Sequence, residues 1–256
     1  MRALDGVIIV VCAVEGIMPQ TETVIRQALK EKVKPVLFIN KVDRLIAELQ
    51  VTPEDMMQRF GKIITEVNKL ISRMVPDEFK KDWMVDAQAG TVAFGSAYHN
   101  WATSIPFMAK KNVNFKQIYD FMENEQRREL AQAAPLHEVL LDMIVEKLPS
   151  ANTAQKYRIP HIWRGEAEEE IGQSMVHANP DGDSAFMVTK VVLDPHAGEI
   201  AVGRLFSGTI KKGDQMYVAG MPNANRVQSV GMFVGGDRIA TENVTAGNII
   251  AVSGLR

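Results

Sequence analysis

Phe38-Ile39-Asn40-Lys41-Val42-Asp43 is an apolar stretch that stops abruptly in a polar tetrapeptide. Pro35 to Ile39 reads as a short buried strand, because an apolar run with β-branched members follows a breaking proline. Asn40 to Asp43 then lies at the carboxyl end of that strand, where open α/β sheets place their ligands. The spacing Asn-Lys-x-Asp suits a guanine base. The Asp43 carboxylate can accept from both the ring N1–H and the exocyclic N2–H, a parallel pair of charge-assisted bonds. Adenine has no such donor pair, so the selection is chemical rather than steric. Asn40 can turn its amide toward the base or tie the loop, and the aliphatic stem of Lys41 can lie along the base plane.

Upstream, Val7-Ile8-Ile9-Val10-Val11-Cys12-Ala13 is apolar without alternation, the pattern of a strand covered on both faces of a parallel sheet. Pro19-Gln20-Thr21 starts a helix with Val24, Ile25, Ala28 and Leu29 on one side. Strand, helix and strand in succession make one right-handed βαβ crossover. Downstream, Thr52-Pro53-Glu54-Asp55 is a helix start: a hydroxyl cap, a proline in the first turn, then two acids at the positive end. Met57, Phe60, Ile64, Val67, Ile71 and Met74 follow at steps of three and four, with Met56, Ile63 and Leu70 beside them. They predict one long amphipathic helix packed on its own domain. Pro76 ends it, and residues 77–89 read as a polar connection containing Trp83.

Thr91-Val92-Ala93-Phe94 is a second apolar strand, and it ends in the small-residue turn Gly95-Ser96-Ala97. A helix is expected near Phe115, Ile118, Phe121 and Met122, then a solvated charged run over residues 123–129. Pro135 opens a last helix with Leu136, Val139, Leu140, Met143 and Ile144 on one side. Leu148-Pro149-Ser150-Ala151-Asn152-Thr153 reads as the linker, which puts one domain at 1–148, with a helical insertion near 47–90, and another at 149–256. Beyond it, strands are expected at 185–193, 200–210, 215–218, 226–233 and 248–252, with a surface loop over the acidic run 166–170. Such spacing indicates a small antiparallel barrel or sandwich.

A chain of 256 residues with 46% apolar content can bury two cores. Its net charge of −2 argues against gripping nucleic acid by a bulk positive field, and leaves docking through a local patch. The single cysteine, Cys12, forms no disulfide framework and fits a reducing cytoplasm. No stretch is long and apolar enough to span a bilayer, and the first residues do not read as a signal peptide. The histidines at 99, 137, 161, 177 and 196 have no partner at metal-ligand spacing and take core or surface roles. No serine sits in a nucleophile-elbow pattern, so no catalytic residue is assigned.

With both halves in view, the chain resembles the translational GTPases, and among them the archaeal elongation factor 2 group, over its entire length. Asn40-Lys41-Val42-Asp43-Arg44 is common to many GTPases. More specific are Pro19-Gln20-Thr21-Glu22-Thr23-Val24-Ile25-Arg26-Gln27-Ala28-Leu29 and Gly95-Ser96-Ala97-Tyr98-His99-Asn100-Trp101. Asp194-Pro195-His196-Ala197-Gly198-Glu199 and Gly203-Arg204-Leu205-Phe206-Ser207-Gly208 are similar to the second-domain signature of that family. The resemblance implies a Ras-like α/β GTPase domain, with a partial parallel sheet and a helical insertion, followed by an all-β barrel. It implies a GTP/GDP site in which Asn40, Lys41 and Asp43 meet the base and the loop Gly95, Ser96, Ala97 closes over it through a backbone N–H. Tyr98 stands where many relatives have Lys or Leu.

The resemblance also implies a ribosomal partner: small-subunit RNA against the barrel, stalk proteins near the GTPase domain, and movement of tRNA and mRNA as the task. The family's phosphate-binding loop Gly-x-x-x-x-Gly-Lys-Ser/Thr, its Asp-x-x-Gly stretch and the neighbouring His do not occur here, so no Mg²⁺ ligands are present. The chain is therefore expected to be an internal fragment, inactive alone, of a GTP hydrolase. Two other readings stand beside this one: a non-enzymatic fragment that docks on ribosome or stalk, and a different translational GTPase such as elongation factor G.

Overall fold

The structure, a computed structural model, describes residues 1–111, 114–124, 126–195 and 198–255. His196 and Ala197 of the second-domain signature, Glu125 of the charged run and the final Arg256 lie outside them. The chain forms two compact units, residues 6–148 and residues 149–256 together with 1–5. Residues 1–5, grouped by the sequence reading with the first domain, belong to the second unit.

In the first unit, β1 (Gly6–Cys12), α1 (Pro19–Lys30) and β2 (Lys34–Asn40) form the expected parallel crossover, with Ile9 opposite Leu37 and Cys12 opposite Asn40. After α2 (Val42–Ala47) comes the long helix α3 (Pro53–Met74), whose cap Thr52 accepts from the Asp55 N–H at 3.2 Å. Its buried face is Met56, Phe60, Ile63, Val67, Leu70 and Ile71, rotated from the expected stripe so that Met57 is exposed. Phe60 stacks on Phe94 with centroids 4.8 Å apart, which seats the helix on the sheet. The polar connection expected over 77–89 instead contains the helix α4 (Asp77–Trp83), and Trp83 is buried. Asn68 of α3 then clasps the backbone N–H and C=O of Val85, both at 2.8 Å.

β3 (Val92–Ser96) pairs parallel with β2, and β4 (Trp101–Thr103) runs back antiparallel, giving the order β1-β2-β3-β4. β2 and β3 are buried between layers, but β1 is an edge of this sheet and its Val10 is half exposed. The expectation of burial on both faces fails for β1: Ile9 and Val11 on one face are buried, whereas Ile8, Val10 and Cys12 on the other are not, so only one face is fully covered. Helices α5 (Ile105–Lys111), α6 (Phe115–Glu123), α7 (Arg127–Ala133) and α8 (Leu136–Lys147) complete the unit, with α7 lying in part of the expected charged run.

The second unit does not begin with strands. α9 (Ala151–Ile162), capped by Ser150 inside the expected linker, and α10 (Glu170–Val176) come first. The strands start at β5 (Ala185–Asp194) and β6 (Gly198–Ser207), then β7 (Thr209–Lys211), β8 (Gln215–Tyr217), β9 (Ala224–Arg226), β10 (Ser229–Val234), β11 (Asp237–Thr241), β12 (Asn243–Thr245) and β13 (Ile249–Ser253). Gly208, at φ +80, breaks the expected strand 200–210 into β6 and β7. The antiparallel sheet β11-β10-β13-β6-β5 and the ribbons β12-β7 and β8-β9 curl around Leu205, Ile210, Val230, Val244, Ile250 and Val252.

Beneath that sheet lies a charged core. Arg158 and Arg204, both buried, share Asp5: Arg158 Nη1 to Oδ1 at 3.2 Å and Arg204 Nη2 to Oδ2 at 2.7 Å. Arg158 also donates to the Arg2 carbonyl at 2.9 Å and Arg204 to the Ala3 carbonyl at 3.3 Å, which explains why residues 1–5 fold with this unit. Gln155 accepts from Arg204 and donates to the carbonyls of Phe206 and Met175. Burial pushes the Arg158 guanidinium below its ordinary value, and the charge and hydrogen bond of Asp5 oppose that push.

Candidate functional site

The carboxyl ends of β2 and β3 lie side by side, with Ile39 opposite Phe94. The two sequence motifs, fifty-odd residues apart, therefore meet at one end of the sheet, outside the carboxyl ends of its parallel strands, where open α/β sheets bind ligands. Lys41 adopts the left-handed conformation (φ 64°, ψ 34°), a turn that ends the strand and starts α2. This turn puts Asp43 in the first turn of that helix.

Asn40 is the tie between the two loops. Its side-chain oxygen accepts from the backbone N–H of Lys41 at 2.8 Å and of Ala97 at 2.9 Å. Of the two roles open to Asn40, the loop tie is the one formed, and its NH₂ group has no partner among the described residues. The Ala97 N–H, expected to reach the base, is engaged by Asn40. Ser96 is buried and its hydroxyl accepts from the His99 N–H at 3.3 Å. Gly95 is required by packing: a Cβ there would stand 2.3 Å from the Trp101 carbonyl oxygen of β4. Gly95 and Ser96 thus shape the loop, while Lys41 and Ala97 are exposed on it. Tyr98 is 86% exposed and packs edge-on against His99.

Asp43 faces a cleft of about 510 Å³ lined also by Asn40, Lys41, Ser96, His99, Met122 and Arg127. Its side chain is only 14% exposed, yet Oδ1 has no hydrogen-bond partner among the described residues and Oδ2 faces His99 Nε2 at 3.6 Å. The nearest strong cation on its own helix, Arg44, is committed to Glu48 at 2.8 Å, and that hydrogen bond holds its guanidinium above the ordinary value. A buried carboxylate oxygen without a partner costs about 1–3 kcal/mol or more, because water has been removed and nothing replaces it. A ligand presenting two parallel N–H donors would satisfy it. The edge of guanine is such a ligand, and the acceptor pair of the Asp43 carboxylate is complementary to it.

The sequence reading missed His99, Met122 and Arg127 as lining residues. His99 stands three residues beyond Ser96, and a closing loop of known position is the signal that marks its neighbours as candidates. Met122 and Arg127 come from α6 and α7, and only the tertiary fold brings them in. No group of three or more His, Cys, Asp or Glu able to hold a metal occurs among the described residues, and no helix among them is long and apolar enough to cross a membrane.

A family model described as the elongation factor Tu GTP binding domain matches residues 1–150. The chain belongs to that family. A second model, elongation factor G domain 2, matches residues 183–256, the strand-rich part of the second unit. Among curated relatives, elongation factor 2 of Methanococcus vannielii and of Picrophilus torridus are each 59% identical to this chain, and that of Pyrococcus horikoshii is 58% identical. Each match covers 100% of this chain and 35% of the relative, so the chain spans about a third of their length. Within the elongation factor Tu GTP-binding family, the cleft at Asp43 lies in the matched part of the chain.

Proposed function

We propose that this chain carries the guanine-recognition half and the second domain of a ribosomal translocation GTPase, an elongation factor 2. The observation that carries the reading is Asp43: a nearly buried carboxylate with one oxygen unpartnered among the described residues, just past the carboxyl end of a parallel strand. In this reading the Asp43 oxygens accept N1–H and N2–H of guanine, and Asn40 fixes both loops and offers its NH₂ to the oxygen side of the ring. The stem of Lys41 covers the base plane, while Gly95, Ser96 and Ala97 close the pocket. GTP and GDP are the ligands. The phosphates and Mg²⁺ would be held by parts of the full-length protein outside this chain, and no hydrolytic step is assigned to residues here.

The proposed task is GTP hydrolysis coupled to movement of tRNA and mRNA in the cytoplasm. The second domain is proposed to meet small-subunit RNA, and stalk proteins to approach the GTPase domain. The relatives' name and the two matched domains support this over a docking module that binds no nucleotide. In the full-length protein, Asp43→Asn is expected to lose most ribosome-stimulated GTP hydrolysis and translocation, and to recover part of both with xanthosine triphosphate. Full GTP-driven translocation by the variant would refute the reading.

A further inference from the structure

We propose that His99 is a positioning residue for base recognition: it sets the plane of the Asp43 carboxylate and so decides how strongly the exocyclic amino group of guanine counts. This rests on the reading of Asp43 as the base acceptor.

A carboxylate on an aspartate turns easily about its last torsion, whose preferences are broad and two-fold. Something must fix that angle if two oxygens are to meet two parallel donors. Among the described residues the Oδ1 atom has no partner, and Arg44 of the same helix is held by Glu48. His99 approaches the other oxygen, with Nε2 3.6 Å from Oδ2, within ion-pair reach and longer than a hydrogen bond.

The ring of His99 is itself well placed. Its backbone N–H donates to the buried Ser96 hydroxyl, and its ring meets Tyr98 edge-on at 4.8 Å and 78°. Its side chain is 17% exposed, against 14% for Asp43, so water competes little for the contact. A carboxylate oxygen has two acceptor sites, so Oδ2 can keep the imidazole beside it at 3.6 Å and accept a base N–H as well. His99 can therefore stay in place when the base arrives.

The consequence is specific to guanine. One hydrogen bond to a carboxylate tolerates rotation of the group, whereas a parallel pair does not. Hypoxanthine keeps N1–H and lacks the 2-amino group, so it asks for one bond only. Loosening Asp43 should thus weaken guanine binding and leave hypoxanthine binding nearly alone.

The test is the affinity of the full-length protein for GDP and for IDP, with His99→Leu and His99→Gln. In His99→Leu, GDP should weaken about tenfold and IDP less than about twofold, the loss of one charge-assisted bond. His99→Gln, whose amide places a polar N–H donor beside Oδ2 in the same way, should return GDP to within about threefold of the parent. His99→Asn, too short to reach, repeats the test if the leucine variant does not fold, and should resemble the loss. Equal weakening of GDP and IDP, or an unchanged ratio, would overturn the inference, since a merely structural histidine moves both together. Asp43→Asn separates the two levels. If it keeps the parent's GDP over IDP preference, the base reading itself falls. If it loses that preference while His99→Leu does not, only the role of His99 falls.

Discussion

Asp5 and Asp43 have almost the same exposure, 13% and 14% of the side chain, and opposite surroundings. Asp5, in the second unit, has one arginine on each oxygen, at 3.2 and 2.7 Å. Asp43, in the first unit, has a histidine at 3.6 Å on one oxygen and no hydrogen-bond partner among the described residues on the other. Burial alone does not separate a structural carboxylate from a binding one. The state of its acceptors does: a satisfied buried charge holds the fold together, and an unsatisfied one leaves capacity for a ligand.

The largest expected effect falls on Asp5. Asp5→Asn would leave Arg158 and Arg204 buried without a counter-charge, and breaking such a pair costs about 3–5 kcal/mol. Chemical denaturation followed by the second unit's own signal should show that loss, and a loss under about 1 kcal/mol would remove the structural half of the contrast. Asn40→Ala comes next. It deletes two hydrogen bonds to backbone N–H groups and should cost about 1–3 kcal/mol in the first unit, with faster hydrogen exchange at Ala97. Protection at Ala97 equal to the parent's would show that Asn40 is not the tie.

The smallest stability loss is expected at Asp43 itself. Asp43→Asn keeps the shape and removes a poorly partnered charge, so the first unit should lose no stability. A loss comparable to that of Asp5→Asn would mean that Asp43 is structural after all, and the contrast would collapse.

Much of this was legible in the sequence, for reasons that individual residues make plain. Thr52-Pro53-Glu54-Asp55 marks the start of α3 because a hydroxyl cap, a first-turn proline and acids act locally, without tertiary help. The motif Asn40 to Asp43 and the turn at Gly95 are visible because apolar strands end there in polar or small residues. α9 was not visible. Its buried positions include Gln155 and Arg158, so the helix shows no apolar stripe, and Pro160 lies within it. The polar network that holds the second unit together is what hides the helix. α4 escaped for a related reason: Asp77-Glu78-Phe79-Lys80-Lys81-Asp82-Trp83 is mostly charged and buries little besides Trp83. Strands β11 and β12 are short pieces beside Gly, Asp and Asn, and ladder pairing with β10 and β7 defines them more than their composition does. Within the site, the loop tie formed by Asn40 and the approach of His99 depend on strand register, which spacing alone does not fix.

Nucleotide titration of Asp43→Asn in the full-length protein, with GDP and xanthosine diphosphate side by side, tests the central claim most directly. An amide can donate to the 2-oxo group of xanthine where the carboxylate accepted from guanine, so the preference should invert. GDP should weaken by about 1.5–3 kcal/mol per lost charge-assisted bond while the xanthine nucleotide gains. An unchanged preference for GDP would contradict the account, because Asp43 would then not be the group that reads the base.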